Sequence, residues 1–426
     1  MRSDDVPQTW KTTARSLMLI ALVVPGASFP QGGLDNFADR ERQIVDRIEQ
    51  EQRENGIYSV GLITPLTELS LLFDEIGASV RADETIRQVL TVIRANNGLE
   101  TLDQVPLIRR LISREIERGN SEAVWELRND LLILADRNPD DLRSAGIMRE
   151  TGDNRIDILA RYETGEIPPE IILGCFYDDS TQQDEAYKRG SHSMRSMRLG
   201  TVECLSGDRN RARRALLESA QRYYLRGLNI MRLNGAESSN EVPELLKALV
   251  RVSYRIATPG AGRESLRDLI DYAEMYSEGW LPQIEAHVQL ADWDLLYASA
   301  YGTRYEDSAL EAYQHAYDLS VANDIAQESI DEIFAPRIPV VLPSFAANPL
   351  DSPESPGSRG FIEVSFVIAE DGKSKRIDVL ERTENVARAE EKDLVQVIKY
   401  RRFRPQVTDG QFADSNPIVL RYYIND

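Results

Sequence analysis

Residues 360–372 read Gly360-Phe361-Ile362-Glu363-Val364-Ser365-Phe366-Val367-Ile368-Ala369-Glu370-Asp371-Gly372. Ile362, Val364, Phe366 and Ile368 alternate with Glu363, Ser365 and Val367, the two-residue period of a half-buried strand. Asp371-Gly372 is a hairpin turn signal, because tight hairpins need positive φ and Gly adopts it without steric cost. Ile377 and Val379 fall on the returning strand. Residues 386–400 carry a helical pattern, with Leu394, Val397 and Ile398 facing inward. Ile418, Leu420, Tyr422 and Ile424 alternate again in a last strand. The order strand, strand, helix, strand makes residues 359–426 a small α+β unit.

Upstream the period changes. From residue 40 to 137 apolar residues recur at three- and four-residue steps: Leu62, Ile63, Leu66, Leu69, Leu72 and Phe73, then Leu107, Ile108, Leu111, Ile112 and Ile116. Asn97-Gly98 and Gly119-Asn120 stop these runs where helices commonly end. Residues 138–182 break the rhythm, with turn signals at Asn138-Pro139, Thr151-Gly152-Asp153-Asn154 and Pro168-Pro169. Helices are then expected over 209–233, 243–257, 263–277, 282–300 and 304–323, with Gly260-Ala261-Gly262 as a connector. Trp293, Leu296, Ala300, Ala309, Tyr313 and Ala316 resemble the tetratricopeptide (TPR) pattern, large residues on one helix packing around small ones on the next. Gly77 and Gly119 sit at equivalent turns 42 residues apart, longer than a standard repeat. The expectation is a mainly α protein: a degenerate TPR-like array of antiparallel helix pairs over 29–334, followed by the α+β unit.

Between the two, residues 335–358 hold Pro336, Pro339, Pro343, Pro349, Pro353 and Pro356. Proline cannot donate to a backbone ladder, so this span reads as an extended linker separating two domains.

The strand beginning at Gly360, the Asp371-Gly372 hairpin, the helix, Arg402-Phe403-Arg404-Pro405, Asp409-Gly410 and the last strand together resemble the C-terminal domain of bacterial TonB-family energy transducers. The resemblance covers about 68 of 426 residues. It implies a Gram-negative cell-envelope protein whose C-terminal module takes an extended peptide onto a sheet edge. The candidate edge is the last strand, Ile418, Val419, Leu420, Arg421, Tyr422, Tyr423 and Ile424, with Val419, Arg421 and Tyr423 facing away from the core; an edge already blocked by the linker or by self-dimerisation is the alternative. The implied partners are proteins or peptides of the envelope, outer-membrane receptors among them. Two features depart from the transducers. Their long N-terminal anchor is replaced by a short apolar stretch, and 24 linker residues reach at most about 80 Å.

The N-terminus has the grammar of an export signal: Arg2, Lys11 and Arg15, an apolar run over 17–24, then Pro25-Gly26-Ala27-Ser28. Eight apolar residues fall short of the roughly 20 needed to span a bilayer. Residues 1–28 are therefore expected to be removed near Ser28, leaving a periplasmic protein; anchoring in the inner membrane by residues 16–25 is the alternative. In an oxidising compartment Cys175 and Cys204, 29 positions apart, are a candidate disulfide worth roughly 3–4 kcal/mol. Two buried free thiols are the other reading.

The chain carries 50 Lys+Arg against 70 Asp+Glu, a formal charge of −20, which disfavours nucleic acid as a partner. Residues 359–426 hold 12 of each sign, so the negative charge lies in the helical part. Lys399, Arg401, Arg402 and Arg404 form a local basic cluster, expected to be a solvated helix end. Three His and two Cys are too few for a zinc cluster. There is no Gly-x-Ser-x-Gly, no His-Glu-x-x-His and no phosphate-binding Gly loop. His287 and His315 lie on neighbouring helices and can meet, but packing explains them. Asp178, Asp179, Asp184 and Glu185 read as an acidic turn. The expected function is protein binding or scaffolding, with no catalysis, cofactor, metal or small-molecule substrate. An accessory role in TonB-dependent transport across the outer membrane is the alternative.

Overall fold

The computed structural model describes residues 31–166, 209–336, 338–346, 348–352, 357–408 and 411–425. The export signal, Cys175, Cys204, His192, the acidic turn at 178–185 and Asp409-Gly410 lie outside them. The protein is mainly α-helical and ends in a small antiparallel sheet with one helix. It divides into two compact units, Met1–Leu107 and Ile108–Asp426.

In the first unit, α1 (Gln31–Asn55), α2 (Ile63–Glu75) and α3 (Ser79–Asn97) bury the stripe that the periodicity picks out. Ile44 and Ile48 pack with Leu66, Leu69, Phe73, Val89 and Ile93. Gly77 lies at φ +73°. Its amide and that of Ala78 bond back to the carbonyls of Asp74 and Phe73, closing the end of α2. Gly119, at φ +69°, ends α4 (Val105–Glu117) in the same way, through Ile116 and Glu115. Ile116, placed on the inner stripe by its spacing, is exposed.

The second unit continues with α5 (Ser121–Arg137), α6 (Leu142–Glu163), α7 (Arg209–Leu233), α8 (Glu241–Ile256), α9 (Pro259–Tyr276), α10 (Leu281–Tyr301), α11 (Thr303–Ala322) and α12 (Gln327–Phe334). Two expected breaks are helical instead, for one reason. Gly152 lies inside α6, where a Cβ would come within 2.5 Å of the Tyr224 ring of α7. Gly262 lies in α9, where a Cβ would come within 2.1 Å of Trp293 of α10. The Trp293 indole N–H donates to the Pro259 carbonyl at 3.0 Å. These glycines are points of close helix approach, not turns. Between α10 and α11, Ala291 and Leu295 meet Ala309, Tyr313 and Ala316. Trp293 is buried as expected, Leu296 is half-buried, and Ala300 is exposed.

In the C-terminal module, β1 (Ser358–Ile368) is flanked by β2 (Ser374–Arg382) and β5 (Ile418–Asn425), all antiparallel. Helix α13 (Arg388–Tyr400) covers one face, Leu394 and Ile398 packing with Ile362, Val364, Phe366 and Ile368. A short ladder of β3 (Gln406–Thr408) and β4 (Gln411–Ala413) was not expected. Three residues are too few to show a period.

The proline-rich span is not an extended spacer. Val341, Leu342 and Leu350 are buried. Val341 bridges Phe403, the Leu342 amide donates to the Arg402 carbonyl, and the Arg404 amide donates to the Val340 carbonyl. Phe345 packs on Tyr254 and Trp293. Apolar residues alternate with the prolines here, and their burial fixes a segment that cannot form a full ladder.

The basic cluster is a solvated helix end only in part: Lys399 and Arg401 are exposed as expected, while Arg402 and Arg404 turn inward. Phe403 is fully buried in the sheet core. Arg404 reaches Asp292 of α10 with both ends of its guanidinium, at 3.0 and 2.7 Å, and donates to the Ile333 carbonyl. Arg402 donates to the Asp371 carbonyl at 2.7 Å. The helices from Ile108 onward and the sheet module therefore form one packed unit.

Candidate functional site

The sheet has one face under α13; the other is exposed at Val419 and Arg421 and buried at its Val367 end. Strand alternation sends Phe361, Glu363, Val419, Arg421 and Tyr423 to this other face. There the Arg421 guanidinium lies 4.2 Å from the Phe361 ring centroid and 2.8 Å from Glu363. Phe361 and Tyr423 pair at 6.0 Å between ring centroids. Val419 is exposed. The partners of Arg421 raise the pKa of its guanidinium, the bond to Glu363 most of all.

The backbone of β5 can be oriented from its bonds. Phe361 of β1 faces Thr383, accepting from its amide and donating to its hydroxyl oxygen. Phe361 opposite Tyr423 is thus a pair without mutual bonds. The amide of Tyr423 points away from β1, toward the carbonyl of Ser352 at 3.4 Å. Directions alternate along a strand, so Ile418, Leu420, Tyr422 and Ile424 bond β1, while Val419, Arg421 and Tyr423 turn their N–H and C=O outward. Among the described residues, β1 is the only strand beside β5.

The expected edge residues are thus brought together on one strand. Sequence reasoning left open an edge blocked by the linker but did not single out Ser352, which only its place after buried Leu350 marks out. It also missed Phe361 and Glu363 as the neighbours that hold Arg421.

His287 and His315 do meet, with ring centroids 4.5 Å apart. Burial, then the neighbouring His315, push the His287 pKa down, while Glu274 at 3.7 Å opposes. Tyr223 and Tyr224 are buried in helix packing. Tyr297, Tyr301 and Tyr305 follow one another at 6.2 and 5.5 Å. Burial pushes the Tyr297 hydroxyl up to about 12. Among the described residues no cluster of three or more His, Cys, Asp or Glu is placed to hold a metal ion. No helix among them is long and apolar enough to cross a membrane.

No protein-family model matches the chain, and no curated protein does. Among solved structures, BtubC (BKLC) from P. vanneervenii is similar at a TM-score of 0.33 and 12% identity, over 69% of this chain and 92% of that one.

Proposed function

We propose that this is a periplasmic protein-binding scaffold that receives an extended peptide as an added strand along the outer edge of β5. The observation that carries the reading is the outward backbone of Val419 and Arg421. An open edge offers N–H and C=O groups in register for an incoming chain. Backbone bonds then supply affinity, and alternate side chains supply selection. The TonB-like order of motifs and the export-signal grammar of residues 1–28 support an envelope location. The acidic helices, with no catalytic motif, support binding rather than catalysis. Partners are extended protein segments of the envelope, outer-membrane receptors among them; nucleic acid is not.

The test is proline at the edge. Val419→Pro and Arg421→Pro each remove an outward N–H without touching a bond to β1. Both variants should keep the parent circular-dichroism spectrum and lose the proteins that the parent captures from a periplasmic extract. Unchanged capture would move the binding site to the helices.

A further inference from the structure

Three residues of β5 turn their backbone outward, and one of them is already engaged. The Tyr423 amide donates to the Ser352 carbonyl at 3.4 Å, and the Ser352 hydroxyl donates to the Tyr423 carbonyl. Both groups of Tyr423 are satisfied from within the chain.

Ser352 is held there by its neighbours. Leu350, two residues before it, is buried in the sheet core at 1% exposure. Asn348 accepts from the Leu350 amide at 3.0 Å and donates to the Pro339 carbonyl at 2.9 Å. The Asp351 amide bonds the Asn348 carbonyl, closing a turn. Asn348 and Leu350 thus fix the segment before it reaches the strand edge.

We infer that residues 348–352 are a built-in guard on the peptide edge: they close it at Tyr423 and confine an incoming strand to Val419 and Arg421. This rests on the strand-addition reading above. A short segment can pair at Val419 and Arg421 without disturbing the guard. A longer one must displace Ser352, so the guard selects by length and lowers the affinity of any strand that runs past Tyr423. The side chain beside exposed Val419 is best β-branched, since such pairs pack well across strands.

Two measurements on the full chain test this. Residue-resolved amide exchange of the free protein should show Tyr423 protected and Val419 and Arg421 exchanging fast. Asn348→Ala, which removes the bonds that fix the segment, should raise Tyr423 exchange and leave β1 amides unchanged; Ser352→Ala keeps the carbonyl that accepts from the Tyr423 amide and frees only the Tyr423 carbonyl. The binding probe is the synthetic peptide acetyl-Glu-Thr-Val-Thr-Val-Thr-Val-Lys-amide, long enough to pass Tyr423. Ser352→Ala should tighten it about five-fold, the effect of one net hydrogen bond, and Asn348→Ala should tighten it too. Equal binding by parent and both variants overturns the guard while leaving strand addition intact. Fast Tyr423 exchange in the free parent also overturns it. A probe that binds none of the proteins defeats strand addition, and the guard's selective role with it.

Discussion

Arg404, from the segment after the last helix, grips Asp292 in the middle of α10, 112 residues earlier in the chain. The Arg404 side chain is 11% exposed and that of Asp292 3%. Tyr313 adds its hydroxyl to the same carboxylate at 2.5 Å. Its burial, then the charge of Asp292, hold that hydroxyl well above its ordinary pKa, so it stays a donor. The sheet module is thereby bolted to α10 and α11 through a satisfied polar network.

Removing one partner of such a buried pair leaves the other charge uncompensated. Asp292→Ala should destabilise the full chain by about 3–5 kcal/mol in urea unfolding. The triple variant Asp292→Leu, Arg404→Met and Tyr313→Phe should recover most of that, since apolar replacement of a buried pair is often near neutral and the Tyr313 hydroxyl is not left unpartnered. A cost under about 1 kcal/mol for the single variant would mean the bolt carries no load.

The two glycines of the Gly260-Ala261-Gly262 run should behave oppositely. A Cβ at Gly262 collides with Trp293, and one at Gly260 meets nothing within 4 Å. Gly262→Ala should therefore cost about 1–3 kcal/mol. Gly260→Ala should stabilise by up to about 1 kcal/mol through helix propensity. Thermal unfolding of the two variants settles the sign of each.

Stability should also depend on His287. Its folded pKa lies below the ordinary 6.5, so the unfolded chain takes up the proton first. That stability is complete above 6.5 and is lost as pH falls through the lowered folded value. Glu274 and His315 are the titratable groups that face it. His287→Phe should flatten the fall in melting temperature below pH 6.5; a parallel pH profile would show that other groups dominate.

Under the proposed export, and outside the described residues, the mature protein should begin near Phe29 and carry Cys175 and Cys204 as one disulfide. N-terminal sequencing and a non-reducing peptide mass map of periplasmic protein check both. Membrane-bound material that keeps residues 17–24, or two alkylatable thiols, would contradict them.

Periodicity made much of this architecture legible. The alternation of Ile362, Val364, Phe366 and Ile368 set the inner face of β1, and the three-four spacing set the helices. Glycine was ambiguous, because the same residue ends a helix at Gly77 and admits a neighbouring ring at Gly152 and Gly262. Only the partner ring, on another helix, separates the two uses. The proline-rich span misled because its missing donors are visible in sequence, while the pockets taking Leu342, Phe345 and Leu350 are tertiary. Arg404 reads as one cation among four until Asp292 is brought to it. The outward faces of Val419 and Arg421 followed from alternation; the Ser352 contact did not.

Strand addition is tested most directly by amide exchange of the full chain with and without a partner captured from the periplasm. Val419 and Arg421 amides should go from fast to slow exchange on binding, while those of α10 and α11 stay unchanged. New protection confined to the helices, with Val419 and Arg421 still fast, would contradict it.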